Sequence, residues 1–340
     1  MIFVDSIPTM DLVQKVKDFI HSQNLLPRNE AVIVGVSGGP DSVALLSVLR
    51  TFSYDFNLQL YVAHFNHHLR KESQQDEDFV KDLSRELNLP FIRGEWKHSA
   101  SFKKGSLEES AREERLKFFM KAAGAKKVKI IALGHHRDDL AETVLMRILR
   151  GTGLQGLQAI LPKRNIRGFT FIRPLLGVGR KEIESYLKKN HLSFRVDATN
   201  KKIDFFRNKL RLKLLPLLEK GYQNNIREIL ANFSENIAGD YDYLKDKAFK
   251  LFNHLGKPQG SKAIQFNLKS FQKEHLALQR LLIRLSVEHL KGDTNRLTFQ
   301  HWKEIEDLIL ARPPGAIVHL PDRLYVQKKN RYLILGLIKT

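Results

Sequence analysis

Residues 31–42, AVIVGVSGGPDS, constrain the fold more than any other stretch of the chain. Ala31 to Val36 is an apolar, mostly β-branched run of the length a fully buried strand needs. It breaks at Ser37-Gly38-Gly39-Pro40, and Asp41-Ser42 then opens an amphipathic run through Val43, Leu45, Leu46 and Leu49. Two glycines let backbone approach a ligand closely, and Pro40 suits the first turn of a helix. A strand, a small-residue loop and a helix N-terminus together make an anion site of aligned N–H groups. An ordinary strand-to-helix turn, capped by Ser37 or Asp41, fits the same residues. Neither the GxxxxGK[ST] loop nor GxGxxG is present, since no Lys follows the glycines and their spacing differs.

At 340 residues, with 42% hydrophobic content and 21 Phe, the chain can bury a sizeable core in two or more domains. No apolar run reaches the ~18 residues needed to span a bilayer. MIFVDSIPTMDLVQ lacks the basic segment and apolar core of a secretory signal, so a cytoplasmic location is expected. The absence of cysteine excludes disulfides, Cys-ligated zinc, iron–sulfur clusters and a thiol nucleophile within these residues. Net charge is +20 and unevenly spread: residues 1–100 carry −3, residues 101–340 carry +23, and 151–220 hold 16 basic against 5 acidic side chains. A basic excess beside a nucleotide site points to a polyphosphate backbone as partner.

Helical spacing over 10–26 predicts a lead-in helix, and Leu58 to Phe65 a second strand running into His64-Phe65-Asn66-His67-His68-Leu69-Arg70. Alternation puts the three histidines on different faces with no thiol beside them, so zinc is not expected there. Ser73 is expected to cap a helix reaching about Asn88, and Pro90-Phe91-Ile92 to begin a third strand. SLEESAREERLKFFMKAA (106–123) predicts a helix with a capping box from Ser106 to Glu109. Val128 to Leu133 predicts a fourth buried strand, ending in Gly134-His135-His136-Arg137-Asp138-Asp139 and a helix through Leu149. Strands alternating with helices imply a doubly wound, mostly parallel α/β sheet, whose ligands sit at the carboxyl ends of the strands. Beyond Arg150 come a glycine-rich turn, a strand at Phe169 to Ile172, a helix over Arg180 to Asn190, a polar loop over Asp197 to Asn208 and a short basic helix over Arg211 to Leu218. Helical patterns at about 222–252, 268–290 and around Trp302 precede a small β-meander. The expected division is a catalytic domain at 1–218 and a smaller, mainly helical domain with a short C-terminal meander at 219–340.

SGGPDS resembles the pyrophosphate-binding loop of the ATP-pyrophosphatase (PP-loop) superfamily, whose members split ATP between the α and β phosphates and adenylate a substrate. Further strings narrow the resemblance to the tRNA(Ile)-lysidine synthetase family. They are His64 to Arg70, Ala111-Arg112 through Arg115, Gly134-His135-His136-Arg137-Asp138-Asp139-Leu140-Ala141-Glu142-Thr143, Arg150-Gly151-Thr152-Gly153-Leu154, Arg173-Pro174-Leu175-Leu176, Asp197-Ala198-Thr199-Asn200, and Arg207-Asn208 before Pro216. They cover residues 31–218. Leu116 departs from the Tyr that members often carry, the match beyond 218 is weak, and the additional C-terminal domain of some members is expected to be missing.

The resemblance implies that ATP adenylates the C2 oxygen of the wobble cytidine in a CAU anticodon, and that the ε-amine of free lysine displaces AMP to give lysidine. ATP would be held by Ser37, Gly38, Gly39, Pro40, Asp41 and Ser42, where backbone N–H groups meet the leaving pyrophosphate. Mg²⁺ needs hard oxygen ligands, for which Asp41, Asp139 and Glu142 are candidates; the last two, at i and i+3, share a helix face. Asp41, Asp139, Glu142 and His135 are the expected catalytic groups, His135 orienting the nucleotide, shuttling a proton or simply packing behind the site. Arg112 and Arg115 either pair with Glu108 or Glu109 or reach lysine or RNA; with Lys201, Lys202, Arg207 and Arg211 they are the candidate tRNA contacts. The expected partners are isoleucine tRNA with a CAU anticodon and free lysine, no membrane, with a homodimer left open. A tRNA thiolase and an amide synthetase of the GMP or asparagine type share the loop. The first uses cysteines this chain lacks, and the second has no need of the basic excess. A pure RNA-binding protein would not need the loop and the acids together.

Overall fold

The computed structural model describes residues 11–68, 72–96, 107–196, 206–260, 262–292 and 296–338. After a lead-in helix α1 (Leu12–Ser22), the apolar run before Ser37 forms β1 (Ala31–Gly35), the centre of a six-stranded sheet. It lies parallel to β2 (Gln59–Asn66), with Ala31 opposite Gln59, and to β4 (Ile130–Ala132), with Val32 opposite Ile130. β3 (Phe91–Glu95) adds in parallel outside β2, and β6 (Phe169–Ile172) outside β4. The order β3-β2-β1-β4-β6-β5 reverses direction between β1 and β4. That is a switch point, where a crevice opens at the carboxyl ends of the strands. The doubly wound sheet expected from the sequence is therefore present.

One strand of this sheet lies outside the sequence reading. β5 (Lys163–Ile166) pairs antiparallel with β6 through a tight turn at Arg167 and Gly168, both at positive φ (49° and 83°). Its sequence, KRNI, has no apolar alternation because it is an edge strand, where charge suppresses pairing with other chains.

The crossovers α2 (Pro40–Phe52), α3 (Ser73–Glu86) and α4 (Leu107–Ala125) clothe the sheet. Ser73 starts α3 but does not cap it: the cap position is Glu72, whose side chain makes no capping bond. The capping box predicted from Ser106 lies outside the described residues. Val32, Val34, Ile130, Ala132 and Ile172 pack on the face shared with α1, α2 and α7 (Arg180–Lys189). Ile33, Ala63, Ile131 and Phe171 pack on the opposite face with Phe119 and Ala123 of α4. Alternation along each strand thus feeds two cores. α5 (Arg137–Leu149) and the short α6 (Leu154–Leu157) follow β4; α8 (Phe206–Lys209), a π-helical segment (Leu210–Leu214), α9 (Leu215–Gly221) and α10 (Ile226–Leu255) follow later. The loop predicted over 197–208 thus ends in helix from Phe206.

The chain divides into two units, 1–238 and 239–340, with the division inside α10. In the second unit, β7 (Lys257–Gln259), β8 (Ala263–Asn267), β9 (Ile317–His319), β10 (Leu324–Lys328) and β11 (Tyr332–Leu337) form an antiparallel sheet in the order β7-β8-β11-β10-β9. The last three are the predicted meander. The single helix predicted over 268–290 is two, α11 (Leu268–Lys273) and α12 (Leu276–Lys291); between them Glu274 is extended and His275 Nδ1 accepts the Ala277 N–H at 3.2 Å. With α13 (Phe299–Leu310), they bury Phe271, Leu282, Trp302 and Leu308 against Phe266, Val326 and Leu335. No helix among the described residues is long and apolar enough to cross a membrane.

Gly35 ends β1 for a packing reason. A Cβ there would stand 2.8 Å from Phe119 Cζ and 2.9 Å from Leu133 Cδ2, closer than carbon atoms pack. Gly35→Ala is expected to lower the urea unfolding free energy by about 1–3 kcal/mol through overpacking, and adding Phe119→Leu should recover part of that loss. Strictly additive losses in the double variant would contradict the account.

Candidate active site

The loop after β1 is held by its own hydroxyls. Ser42 Oγ donates to the Gly39 carbonyl at 2.9 Å and accepts the Ser37 N–H at 3.1 Å, with Ser37 Oγ 3.2 Å away. Gly38 sits at φ 89°, a conformation that favours glycine, and its carbonyl accepts the Arg195 N–H at 2.9 Å. The cap residue of α2 is Gly39, with Pro40 in the first turn, and no side chain caps the helix. Neither Ser37 nor Asp41 is the cap that an ordinary turn would use. The leading N–H groups of α2, with the positive end of its dipole, are left for an external anion.

Upstream, the loop rests on His64, whose Nδ1 lies 2.9 Å from the Val36 carbonyl. Burial lowers the pKa of His64, overriding the opposing effects of that carbonyl and of Glu77 and Asp76; Arg93 nearby adds to the lowering. His67 stacks edge-on against Phe65 and Trp96. His68 lies 3.5 Å from Glu95.

The loop after β4 closes on this one. A Cβ on Gly134 would stand 3.0 Å from the Asp41 carbonyl oxygen and 3.2 Å from the Ser42 nitrogen, so any other residue would push the two backbones a few tenths of an ångström apart. His136, fully buried, then caps α5. Its Nε2 is 3.6 Å from Asp41 Oδ1 and 3.5 Å from Asp139 Oδ2, and its Nδ1 3.7 Å from Asp138 Oδ2. Burial alone would lower its pKa, but the carboxylates of Asp138, Asp41 and Asp139 outweigh burial and raise it to about 10. Unprotonated, Nδ1 accepts the Asp138 N–H at 3.2 Å; protonated, it faces the Asp138 carboxylate at 3.7 Å. Asp138 is held against burial far below the usual carboxylate range by His136, by the Arg180 N–H at 2.9 Å and by Arg227 at 3.2 Å.

Asp139 Oδ2 accepts the His136 N–H at 3.1 Å and Oδ1 accepts from Arg207 at 2.9 Å. His136, Arg207 and His135 lower its pKa against the effect of burial. Glu142, also fully buried, accepts Arg207 Nε on Oε2 at 2.8 Å and Arg211 Nε on Oε1 at 2.7 Å. The structure therefore brings Asp41, Asp139 and the loop together and gives Glu142, with the shared helix face, to two arginines. Arg207 and Arg211, read from sequence as RNA contacts, face these acids. Lys201 and Lys202 lie outside the described residues.

His135 is buried beside these groups, and burial lowers its pKa to about 3 despite Asp139, with Arg173, Arg115 and Arg207 adding to the effect. It is neutral at physiological pH. Arg112 is exposed, whereas the Arg115 Nε is buried without a hydrogen-bond partner. Sequence reasoning passed over His136 in favour of His135. The signal was there in the alternation of β4: Ile131 and Leu133 face α4 and Ala132 faces α2, so an even-numbered histidine meets Asp41.

The residues fit Mg²⁺ in the way that ion is usually bound, through one or two carboxylates together with substrate phosphates and water. The Asp41 Oδ1 is buried with no hydrogen-bond partner and lies beside Asp139 across His136. Among the described residues, no three His, Asp or Glu groups form a metal cage by themselves.

Two expectations follow. Because the folded-state pKa of His64 is depressed, its stabilising effect is complete above the unfolded value of ~6.5 and is lost as pH falls below it. His64→Gln should flatten that part of the pH dependence of urea unfolding; an unchanged profile would remove His64 as its source. Glu142→Gln leaves two arginines sharing a neutral amide, and should lower unfolding free energy by about 1–3 kcal/mol and expose the chain near Phe206 to protease. Cleavage rates equal to wild type would mean that Glu142 does not anchor this segment.

Residues 8–218 match the family model described as the PP-loop domain. The chain is 36% identical over 327 residues to the tRNA(Ile)-lysidine synthase of Clostridioides difficile, covering 95% of this chain and 70% of that protein. It is 37% identical over 325 residues to the protein of the same name from Geobacter sulfurreducens, covering 94% and 68%. Among solved structures, the U34-tRNA thiolase NcsA from Methanococcus maripaludis superposes with a TM-score of 0.56 at 18% identity, over 67% of this chain and 79% of that one, a likeness of fold alone. Taken with the uncapped SGGPDS loop and the acids facing it, these matches show that the chain belongs to the tRNA(Ile)-lysidine synthase family of PP-loop proteins.

Proposed function

We propose that this chain is a tRNA-modifying ligase that uses ATP to adenylate the wobble cytidine of isoleucine tRNA with a CAU anticodon, and then joins free lysine to it as lysidine. The observation that carries the reading is the uncapped N-terminus of α2 facing the carboxylates of Asp41 and Asp139, in a chain of this family.

In the first step the C2 oxygen of cytidine attacks the α-phosphorus and pyrophosphate leaves with the bonding electrons. Charge grows on the bridging oxygen, where the Asp41 and Ser42 N–H groups and the helix dipole are already oriented. Ser37 and Ser42 fix that loop, and Gly38 permits its turn. Asp41 and Asp139 would hold Mg²⁺, which when bound neutralises charge on the phosphates. His136 stands between the two carboxylates, where its protonated form offsets their mutual repulsion. In the second step the ε-amine of lysine attacks C2, AMP departs with the C2 oxygen, and the amine gives up a proton. A protein persulfide, which a sulfur-transfer alternative would need, has no cysteine here to form on.

Incubation with ATP, labelled lysine and unmodified isoleucine tRNA should yield a nucleoside heavier than cytidine by lysine less water, with saturable dependence on lysine and no effect of thiol alkylation. Thiolated cytidine, or full modification without lysine, would sink the reading. Asp41→Ala should abolish tRNA-dependent pyrophosphate release in a folded protein, and Asp139→Asn should lower it by on the order of 100-fold. Normal rates in both across a Mg²⁺ titration would make these acids structural.

A further inference from the structure

Asp138 lies within the acidic cluster of the site, yet neither the Mg²⁺ position nor the anion loop calls on it. Its side chain is 14% exposed and both carboxylate oxygens are engaged. Oδ2 accepts the Arg180 N–H at 2.9 Å, at the start of α7, and lies 3.7 Å from His136 Nδ1. Oδ1 faces Arg227 Nη1 at 3.2 Å. Arg227 stands in the first turn of α10 and is itself held from α9. Its Nε donates to Glu219 Oε1 at 2.6 Å and its Nη2 to Glu219 Oε2 at 3.4 Å, a two-pronged pair. A line of contacts therefore runs from α9 through Arg227 and Asp138 to the His136 ring. The other nitrogen of that ring, Nε2, lies 3.6 Å from Asp41 Oδ1 and 3.5 Å from Asp139 Oδ2.

Fastening α10 to α5 does not require this ion pair. Ile226, Leu230 and Ala231 of α10 already pack with Leu140, Ala141 and Val144 of α5 and with Leu215 of α9. Ser234 Oγ adds a hydrogen bond to the Leu157 carbonyl at 2.9 Å. A half-buried ion pair contributes little to such a seam, because desolvation of its charges offsets most of their attraction.

What the pair does fix is the direction of a carboxylate. With Oδ2 on the α7 N–H and Oδ1 on Arg227, Asp138 cannot rotate without giving up a partner. The ring beside it is then aimed, with Nδ1 toward Asp138 and Nε2 toward the two acids that would hold the metal. A polar partner on one imidazole nitrogen is the general means of orienting the other. Without Arg227, Asp138 is left to turn toward His136 and to pull the ring away from Asp41 and Asp139.

We propose that Arg227 is a positioning residue for the adenylation step: anchored on Glu219, it fixes Asp138 so that His136 keeps Asp41 and Asp139 arranged for a phosphate-bound Mg²⁺. The assignment rests on the adenylation reading. It adds a residue beyond the 8–218 stretch matched by the family model, acting on the site through other side chains.

The test uses the full chain and two readouts. One is binding of Mn²⁺, standing in for Mg²⁺, in the presence of a non-hydrolysable ATP analogue, followed by electron paramagnetic resonance; it needs neither tRNA nor turnover. The other is tRNA-dependent pyrophosphate release. Arg227→Met keeps the length of the side chain without its charge, and should weaken Mn²⁺ binding and lower kcat each by about 10-fold, with the KM for tRNA unchanged. Arg227→Lys should recover most of both. Glu219→Gln, which frees Arg227 to swing, should act in the same direction by a smaller factor. Because Arg227 acts through Asp138, the double variant Asp138→Asn/Arg227→Met should lose no more than Asp138→Asn alone. Melting curves check that each variant folds.

Wild-type Mn²⁺ binding and kcat in folded Arg227→Met overturn the assignment, as do losses that multiply in the double variant. A loss confined to the KM for tRNA also overturns it, by making Arg227 an RNA contact. Should Arg227→Met fail to fold, wild-type values in folded Glu219→Gln overturn it equally. Wild-type protein that binds Mn²⁺ with the analogue but releases no pyrophosphate with tRNA counts against the functional reading, and the role of Arg227 then stands or falls on Mn²⁺ binding.

Discussion

The active end of this protein depends on two backbones in contact, Gly134 after β4 against Asp41 and Ser42 at the start of α2. Parallel neighbours at a switch point send their following helices to opposite sides, which opens a crevice. Here the crevice is kept narrow at its base by the missing Cβ. The contact sets the His136 ring between carboxylates that arrive from α2 and α5, and so turns a cleft into a charged site. A larger residue at 134 would part the acids and the loop together.

The cleft is electrostatically two-sided. Toward α2 lie Asp41, Asp138 and Asp139 around a histidine whose pKa they raise. Toward α4 and β6 lie arginines around a histidine that burial keeps neutral. Adjacent histidines in the chain thus have their pKa values moved in opposite directions because they meet different surroundings. A substrate with a cationic and an anionic part would be oriented by that gradient before any specific contact formed.

Much of this was legible in the sequence. Ala31 to Ser42 declared its strand, loop and helix because apolar continuity, two glycines and a proline all agree, and local agreement of that kind survives tertiary context. Edge strand β5 was not legible, since a solvent-facing strand has no apolar period. Nor was the break at Glu274-His275, because each half of that helical pattern faces the same core and the period runs through the interruption. The histidine pair was recognised as a pair, but which ring met which charge depended on the parity of a three-residue strand. The partners of Glu142 lie 65 and 69 positions away, a pairing that local pattern cannot carry.

The two arginines on Glu142 also set a rule of admission for this end of the cleft. They belong to the same chain and are tethered by short helical segments, so they compete for the carboxylate as at a high effective concentration, of millimolar order or above. A small free cation has to outbid a partner that never diffuses away. Charge alone therefore wins no place beside Glu142 at ordinary solute concentrations. A visitor must bring further contacts, or arrive with something else that draws Arg207 or Arg211 aside, and a bound polyanion would do so.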